Sequence, residues 1–345
     1  MTDSPAEKKP STGTKVLKWI GIATAVISLV LGGNQVLKLV NEKRKALAQQ
    51  EKAMVLVKTA KGQVGSNDYN GAWKTLERAN ELTPDNRYVA NAQADIAMQW
   101  IRSILFEVTG PEKTFSEVVD RLTPLLNNEL GNAESERAAD LLAHIGWANF
   151  LKWYDNITGL KTDELFEQAI EKDSLNVYAH CFLAFSVVKH DHEIDKAKMH
   201  FEKALKSGRE KQLVRKLQLS AFSVDHNEAL ELEKILVIND MRKNGETLNT
   251  SQREQIAGRS YNTFNQPLVD SLNAQLSATE HLALYEYLIS GTDYVTHPYL
   301  VLTHAVLLEN TGNKTKALQE YKKLEDETYF TKHEAVKEGV RRCSK

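Results

Sequence analysis

The densest group of side chains able to do chemistry lies at Lys189–Glu193, where the sequence reads Lys-His-Asp-His-Glu, with His180 and His200 close by in the chain. Because Zn²⁺ binds imidazole nitrogens, the His-x-His could supply two ligands of a zinc site. The segment also falls in a predicted turn between two helices, where polar side chains are expected. It continues with Ile-Asp-Lys, so the His-Glu-x-x-His pattern of zinc proteases is absent. We predict a solvated turn with no metal and no cofactor.

Motifs for phosphate binding and nucleophilic catalysis are missing from the 345 residues. The sequence contains no Gly-x-Gly-x-x-Gly, no Walker-type loop and no Gly-x-Ser-x-Gly elbow. Carboxylates such as Glu112 and Glu117 fall on amphipathic faces without an acid or base partner, as is typical of a solvated surface. The two cysteines, Cys181 and Cys343, are too few for a disulfide scaffold, and the apolar run around Cys181 favours a core position. We therefore predict that the chain is not an enzyme.

An apolar segment near the N terminus indicates where the rest of the chain is held. Trp19 to Leu37 are nineteen residues without a charged side chain, and lysines and an arginine flank them on both sides. A helix of that length spans about 28 Å, close to the ~30 Å hydrocarbon core of a bilayer. We predict a transmembrane helix over residues 16–38 and a single-pass membrane protein. The residues expected to face lipid are Trp19, Ile20, Ile22, Val26, Ile27, Leu29, Val30 and Leu31.

The polar residues of this segment leave alternatives open. Asn34 and Gln35 lower its hydrophobicity, so it also fits a buried core helix or an interfacial helix. A cleaved signal peptide fits the basic start, but no small-x-small cleavage site follows. Gly21 and Ala25 have the spacing found between paired membrane helices, so a homo-oligomer is an additional option. Basic residues are nearly balanced on the two sides, so the sequence does not predict which side of the membrane the body faces.

The composition describes a folded, net-acidic body behind a basic N-terminal part. Of all residues, 42% are hydrophobic and 26% charged, which is enough to bury a sizeable core. Residues 1–52 carry a net charge of +5, so the total of −2 leaves −7 for residues 53–345. A net-acidic body argues against broad nucleic-acid binding, and we expect no nucleic-acid partner.

A spacing of four and then three residues recurs after the predicted anchor, with a small, a large and again a small or apolar side chain. These offsets place the three side chains on one face of a helix. A small first residue allows a neighbouring helix to approach closely, which predicts tight helical hairpins of about 34 residues. The triplets are Ala72, Leu76 and Ala79; Thr162, Phe166 and Ala169; Ala197, Phe201 and Ala204; and Ala317, Tyr321 and Leu324.

This pattern resembles the tetratricopeptide repeat (TPR) family, in which the second helix of each unit carries a small-large-small signature and the unit often ends in proline, as at Pro84 here. The consensus Trp and Tyr of the first helices are absent. Residues 212–297 are helical in pattern but lack the signature, and Asn244-Gly245 and Gly291 are predicted breaks. Clear units are predicted at 53–86, 178–211 and 298–331, a longer one at 139–176, and a weaker hairpin around Val118, Leu122 and Leu125.

The predicted fold class is therefore all-α: an N-terminal single transmembrane helix followed by a TPR-like α-solenoid of helical hairpins with an irregular centre. The predicted segments are a disordered tail (1–15), the transmembrane helix (16–38), a charged helical linker (39–52), TPR-like repeats (53–211), degenerate hairpins (212–297), and a C-terminal TPR-like repeat and cap (298–345).

The resemblance implies a concave groove, lined by the first helix of each unit, that holds a peptide or helix of a protein partner. For Trp147 and Phe182 a place in the core is the alternative, since aromatic residues at helical spacing usually pack inside. The groove residues expected from the repeat register are Val57, Lys61, Trp147, Phe182, Ser186, Leu302 and Val306.

The function that these features favour is a membrane-anchored scaffold that binds protein partners without catalysis. The alternative is a constitutive assembly or regulatory subunit of a membrane complex, in which residues 212–297 pack permanently against another subunit. A hydrolase with an unrecognised site in that region is a third and less favoured hypothesis.

Overall fold

The computed structural model of the protein describes residues 12–104, 112–153, 162–223, 227–261, 266–292, 297–325 and 334–345. For residues 12–36 and 112–116, and for Trp153, Arg259 and Gln266, it describes the backbone alone. All regular secondary structure in these ranges is helical and forms sixteen α-helices, so the predicted all-α class is confirmed.

The chain divides into two compact units, residues 1–159 and 160–345. The first unit contains α1 (Thr12–Gly65), α2 (Tyr69–Leu82), α3 (Arg87–Ser103), α4 (Glu112–Leu130) and α5 (Ser135–Trp153). The second contains α6 (Thr162–Lys172), α7 (Val177–His190), α8 (Ile194–Lys206), α9 (Lys211–Ala221), α10 (Glu228–Lys243), α11 (Thr250–Tyr261), α12 (Gln266–Gln275), α13 (Ala278–Ile289), α14 (Pro298–Asn310), α15 (Lys314–Glu325) and α16 (Glu334–Cys343).

The recurring triplets lie on the faces that hold neighbouring helices together. All twelve of their side chains are buried. In the first unit α1 packs on α2 and α2 on α3; in the second α7 packs on α8 and α14 on α15. The spacing therefore predicted the core-facing side of α2, α6, α8 and α15 correctly.

Polar caps explain why the helices begin where they do. Asp68, Asn86, Asn176 and Asn227 each accept a backbone N–H of the first turn of the helix that follows. Ser277 forms a complete capping box with Glu280 at the start of α13. Such caps satisfy amide groups that have no partner within the helix, each stabilising it by about 1 kcal/mol.

The described residues of the stretch 212–297 are helical, as the sequence pattern predicts, and contain most of α9 and all of α10, α11, α12 and α13. The break predicted at Asn244-Gly245 ends α10, where Gly245 adopts a φ of +72°. Only glycine takes this left-handed backbone without a steric cost.

Helix α16 closes the C-terminal end of the second unit by packing on α14 and α15. Gly339 lies directly against the ring of Tyr321, and a Cβ built at this position would come within 2.3 to 2.5 Å of the ring carbons. The hydroxyl of Tyr321 donates to Glu309 (2.9 Å), and Arg342 of α16 donates to the same carboxylate (2.6 Å from Nε to Oε1). The position thus requires glycine because two helices approach closely.

The first prediction is that Gly339→Ala detaches α16 from α15. We expect a loss of about 1–3 kcal/mol in the free energy of unfolding, because the ring has to move to avoid the new methyl group. Urea unfolding followed by circular dichroism measures it. Gly62→Ala in α1 is the control: nothing lies within 4 Å of its added Cβ, so it should stabilise by about 0.5–1 kcal/mol through helix propensity. Equal effects of the two substitutions would contradict the packing argument.

The predicted membrane anchor lies mostly outside the described side chains. Residues 16–38 belong to α1, which runs without interruption from Thr12 to Gly65 and so also includes the predicted charged linker and the end of the predicted tail. Within the part of the chain that the structure describes, no helix is both long and apolar enough to cross a membrane. The anchor side chains Trp19 to Leu31 are outside that part, so the anchor stays a prediction.

Candidate functional site

The groove predicted from the repeat register is not open in the structure. Five of its seven residues, Val57, Trp147, Phe182, Ser186 and Leu302, have 0% of their surface exposed. The prediction that they face a partner is therefore corrected: they are core residues of their own units. The physical reason is that the first helices are covered on more than one side, so the side of the helix that the register assigns to a groove is packed.

The remaining two groove residues lie nearer to the surface. Lys61 is exposed, and its ammonium group lies 5.7 Å from the centre of the Tyr88 ring. Val306 is partly buried against the cluster of α14, α15 and α16. Lys61 belongs to the first unit and Val306 to the second.

A different surface, which the sequence analysis did not identify, combines rings and a cation in the first unit. Tyr69 and Trp73 lie one turn apart at the start of α2, and Trp100 lies near the end of α3. The Trp100 ring stacks on Tyr69 (6.1 Å between centroids, 13° between planes) and lies tilted against Trp73 (6.3 Å, 52°). We call Tyr69, Trp73, Trp100 and Arg121 the aromatic–arginine surface.

Arg121 of α4 completes this surface. Its guanidinium carbon lies 5.1 Å from the Trp100 ring centre and 5.7 Å from that of Trp73. Trp73 is buried, whereas Tyr69 and Trp100 are partly exposed and Arg121 is exposed. Aromatic rings and arginine are the side chains most often found at the energetic centre of protein interfaces. The rings bury large areas at a small entropic cost, and the guanidinium offers several N–H donors in a planar fork. Tyr69 and Trp73 share a helical spacing, but Trp100 and Arg121 lie on other helices, so no periodic pattern joins all four residues.

Helix α1 presents a second exposed apolar region. Val40, Leu47 and Met54 recur every seven residues and so lie on one face, and Leu47 is 60% exposed. Leu37, Leu39 and Val55 are exposed beside them. Exposed apolar side chains that cluster in this way are typical of regions that meet another protein or a membrane.

The histidines near Lys189–Glu193 do not build a metal site in the described residues. No group of three His, Cys, Asp or Glu side chains able to hold a metal ion occurs there. His180 and His200 instead meet in the core, with 2.9 Å between their Nδ1 atoms. His180 Nε2 lies 3.0 Å from the carbonyl oxygen of Ser174, so that nitrogen carries the proton and His180 Nδ1 accepts from His200. Burial lowers the pKa of both rings, that of His200 to about 4.

Ser186 lies between a carboxylate and a histidine, but the arrangement is not that of a catalytic triad. Its hydroxyl donates to Asp163 (2.8 Å) and lies 3.4 Å from Nδ1 of His190. In a triad the histidine takes the serine proton and stands between serine and carboxylate. Here the hydroxyl bonds the carboxylate directly and is buried, so it is a packing residue and not a nucleophile.

A buried ion-pair network holds the degenerate centre together. Arg215 of α9 is 5% exposed and donates to Glu246 (3.1 Å from Nη2), Asp240 (2.5 Å) and Gln218 (3.0 Å). Burial alone would raise the pKa of Glu246, but hydrogen bonds from Arg215 and Lys211 hold it below its usual value. The network ties α9 to α10 and to the turn that follows α10.

The second prediction is that Arg215→Met destabilises the second unit by about 1–3 kcal/mol, because Glu246 then loses its buried cation and keeps only the half-exposed Lys211 (3.1 Å). Urea unfolding at pH 7 measures the loss. The double variant Arg215→Met with Glu246→Leu should recover part of it, since it also removes the carboxylate that has lost its buried cation. If the double variant is no more stable than the single one, the carboxylate without its buried cation is not the cause.

The chain matches no protein-family model and no curated protein.

Proposed function

We propose that the protein is a membrane-anchored, TPR-like scaffold that binds a protein partner and carries out no chemistry. Hairpins with a shared core pattern supply a rigid frame, and the predicted anchor at residues 16–38 would hold that frame at a membrane. The observation that carries the proposal is the aromatic–arginine surface, whose four side chains come from three helices and include the partly exposed rings of Tyr69 and Trp100 and the exposed Arg121. We therefore propose this surface as the partner-binding site, in place of the groove predicted from the repeat register.

Site-specific crosslinking in native membranes tests partner binding. A photoreactive residue at the exposed Asn70, next to Tyr69, leaves the four side chains of the surface intact. The matched control is a photoreactive residue at the exposed Asn132, whose backbone carbonyl lies 3.5 Å from Nη2 of Arg87. Arg87 is at the opposite end of α3 from Trp100, about 20 Å away along the helix. We expect one discrete adduct at position 70 and none at position 132. The absence of an adduct at position 70 would contradict the proposal.

The anchor is tested separately with a tag after Lys345 in sealed membranes. The tagged protein should resist alkaline extraction from the membrane pellet. Protease added from outside should either digest or spare the tag completely, which assigns the side of the membrane that the body occupies. Recovery in the alkaline supernatant would contradict the anchor and favour a core or partner helix at residues 19–37.

A second candidate, a constitutive subunit of a membrane complex, is favoured by the exposed face of α1. A subunit that is never free keeps such a face covered by its neighbour. In this case the protein extracted in mild detergent should migrate as one complex larger than the monomer. Val40→Ser with Leu47→Ser should release the monomer, whereas Ser substitution of the exposed Lys45 and Lys52 should not.

A further inference from the structure

We infer that the aromatic–arginine surface binds a carboxylate side chain of the partner, placed next to an apolar residue; this rests on the proposed function. Two aromatic rings restrict the movement of the cation. Two indole rings at 5.1 and 5.7 Å hold the guanidinium of Arg121. Stacking on rings limits the rotamers of the arginine, so less conformational entropy is lost when its N–H groups bind a ligand.

Arg121 makes no ion pair or hydrogen bond to a described residue, although acidic residues are near. Asp120, the preceding residue, pairs with Lys152. Glu77 of α2 accepts the indole N–H of Trp73 at 2.7 Å. Asp95 of α3 pairs with Arg137 at 2.8 Å. The planar fork of Arg121 is thus exposed and its donors are available, which is the arrangement that bidentate carboxylate binding needs.

The charges around Arg121 favour a carboxylate over a phosphate group. Phosphate groups in proteins are usually bound by several basic residues, because the phosphate carries up to two negative charges. Around Arg121 the charges are mixed, since Glu117 and Asp120 lie on the same helix and Glu77 bonds Trp73. A single cation in such surroundings fits the single charge of Asp or Glu. The partly exposed rings of Tyr69 and Trp100 provide a flat apolar contact for the neighbouring residue of the ligand.

Fluorescence anisotropy of the full chain in mild detergent tests the carboxylate. The probe is a fluorescein-labelled peptide Gly-Phe-Glu-Glu-Phe-Gly, and its twin carries Gln in place of both Glu residues. We expect the Glu peptide to bind at least about tenfold more tightly than its twin, and its affinity to fall as salt is raised, because the charged contact is exposed. Equal affinities of the two peptides, or no binding of either, would overturn the inference.

Variants assign the binding to this residue. Arg121→Gln should weaken the Glu peptide at least about tenfold, and Arg121→Lys should also weaken it, because lysine has no planar fork. Arg78→Gln, an exposed arginine on α2 of the same unit, should have no effect. Thermal unfolding of each variant separates binding from a merely structural role: a lowered melting temperature with unchanged peptide affinity would show that Arg121 only holds α4 in place, and the inference would be wrong.

The crosslink at position 70 separates this inference from the proposed function. If the adduct is lost in Arg121→Gln and kept in Arg78→Gln, the arginine contacts the partner. If it persists in Arg121→Gln, the carboxylate contact is wrong while partner binding stands. If the wild-type chain gives no adduct, the proposed function itself fails.

Discussion

Acid should unfold the protein steeply between pH 6.5 and about pH 4, before most of its carboxylates become protonated. The cause is a set of buried histidines that the native state holds neutral. The pKa of His281 and that of His200 are each lowered from 6.5 to about 4, and burial is the main cause for both. Burial also lowers the pKa of His144 and that of His180. The positive charge of the nearby Arg102 lowers the pKa of His144 further.

The hydrogen bonds show why a second proton is not accommodated. His281 Nδ1 lies 2.8 Å from the side-chain oxygen of Asn273, and its Nε2 is buried without an acceptor in the described residues. His144 Nε2 accepts from Arg102 (2.8 Å), so that nitrogen is unprotonated. Lys203 and Lys196 lie near His200 and add to the cost of charging it. A proton on any of these rings would bury a charge or remove an acceptor.

The direction of the pH effect follows from these shifts. Each folded pKa is below the unfolded value of 6.5, so between the two values the unfolded chain binds a proton that the folded chain does not. The free energy of unfolding is therefore greatest above pH 6.5. Below pH 6.5 it falls by about 1.4 kcal/mol per pH unit for each such histidine, until the folded pKa of that histidine is reached. For His200 and His281 the loss reaches about 3 kcal/mol each near pH 4.

Urea midpoints measured at several pH values between 7.5 and 4.5 check this prediction. His281→Gln should reduce the loss of unfolding free energy by about 1.4 kcal/mol per pH unit, the contribution of one histidine, even if the variant is less stable at pH 7.5. His192→Asn is the control, because His192 is exposed in a turn with a φ of +56° that asparagine tolerates. An unchanged slope in His281→Gln would show that the buried ring does not cause the acid sensitivity.

Interactions within one helix leave a pattern in the sequence, whereas interactions between distant helices do not. The triplets such as Ala197, Phe201 and Ala204 were assigned to the core correctly, because a helical period within one segment states which side packs. For Phe182 and Trp147 the same period left both a groove and the core open, since it says nothing about how many neighbours cover a helix; both side chains are buried. Whether a first helix is covered on one side or on two depends on residues far away in the chain.

Polar and aromatic clusters were missed for a related reason. Arg215 and Glu246 are 31 residues apart, and neither lies in a motif. The aromatic–arginine surface joins three helices, and its residues look like isolated aromatic positions and an ordinary surface arginine in the sequence. The signal available beforehand was weak: two aromatic residues one turn apart, Tyr69 and Trp73, directly after the cap of α2.

Phe182→Glu is expected to prevent the second unit from folding. The Phe182 side chain is fully buried, with the rings of Phe166 and Tyr178 at 6.1 and 6.2 Å. Removing a buried phenylalanine costs about 3–5 kcal/mol, and a carboxylate among these rings adds the cost of a buried charge or of its protonation. The sum approaches the whole stability of a typical domain, about 5–15 kcal/mol.

Two companions distinguish a core position from a groove position. Phe182→Leu keeps an apolar side chain and should fold with a lower urea midpoint. Met199→Glu introduces the same charge at a residue of α8 that is 44% exposed, and should leave the helical content unchanged. Phe182→Glu could instead unfold at the wild-type urea midpoint and lose only its partner. That result would support the groove prediction, because only an exposed side chain accepts a charge without a cost in stability. Loss of helical content in Phe182→Glu alone would place the residue in the core and leave the aromatic–arginine surface as the site where a partner can bind the folded chain.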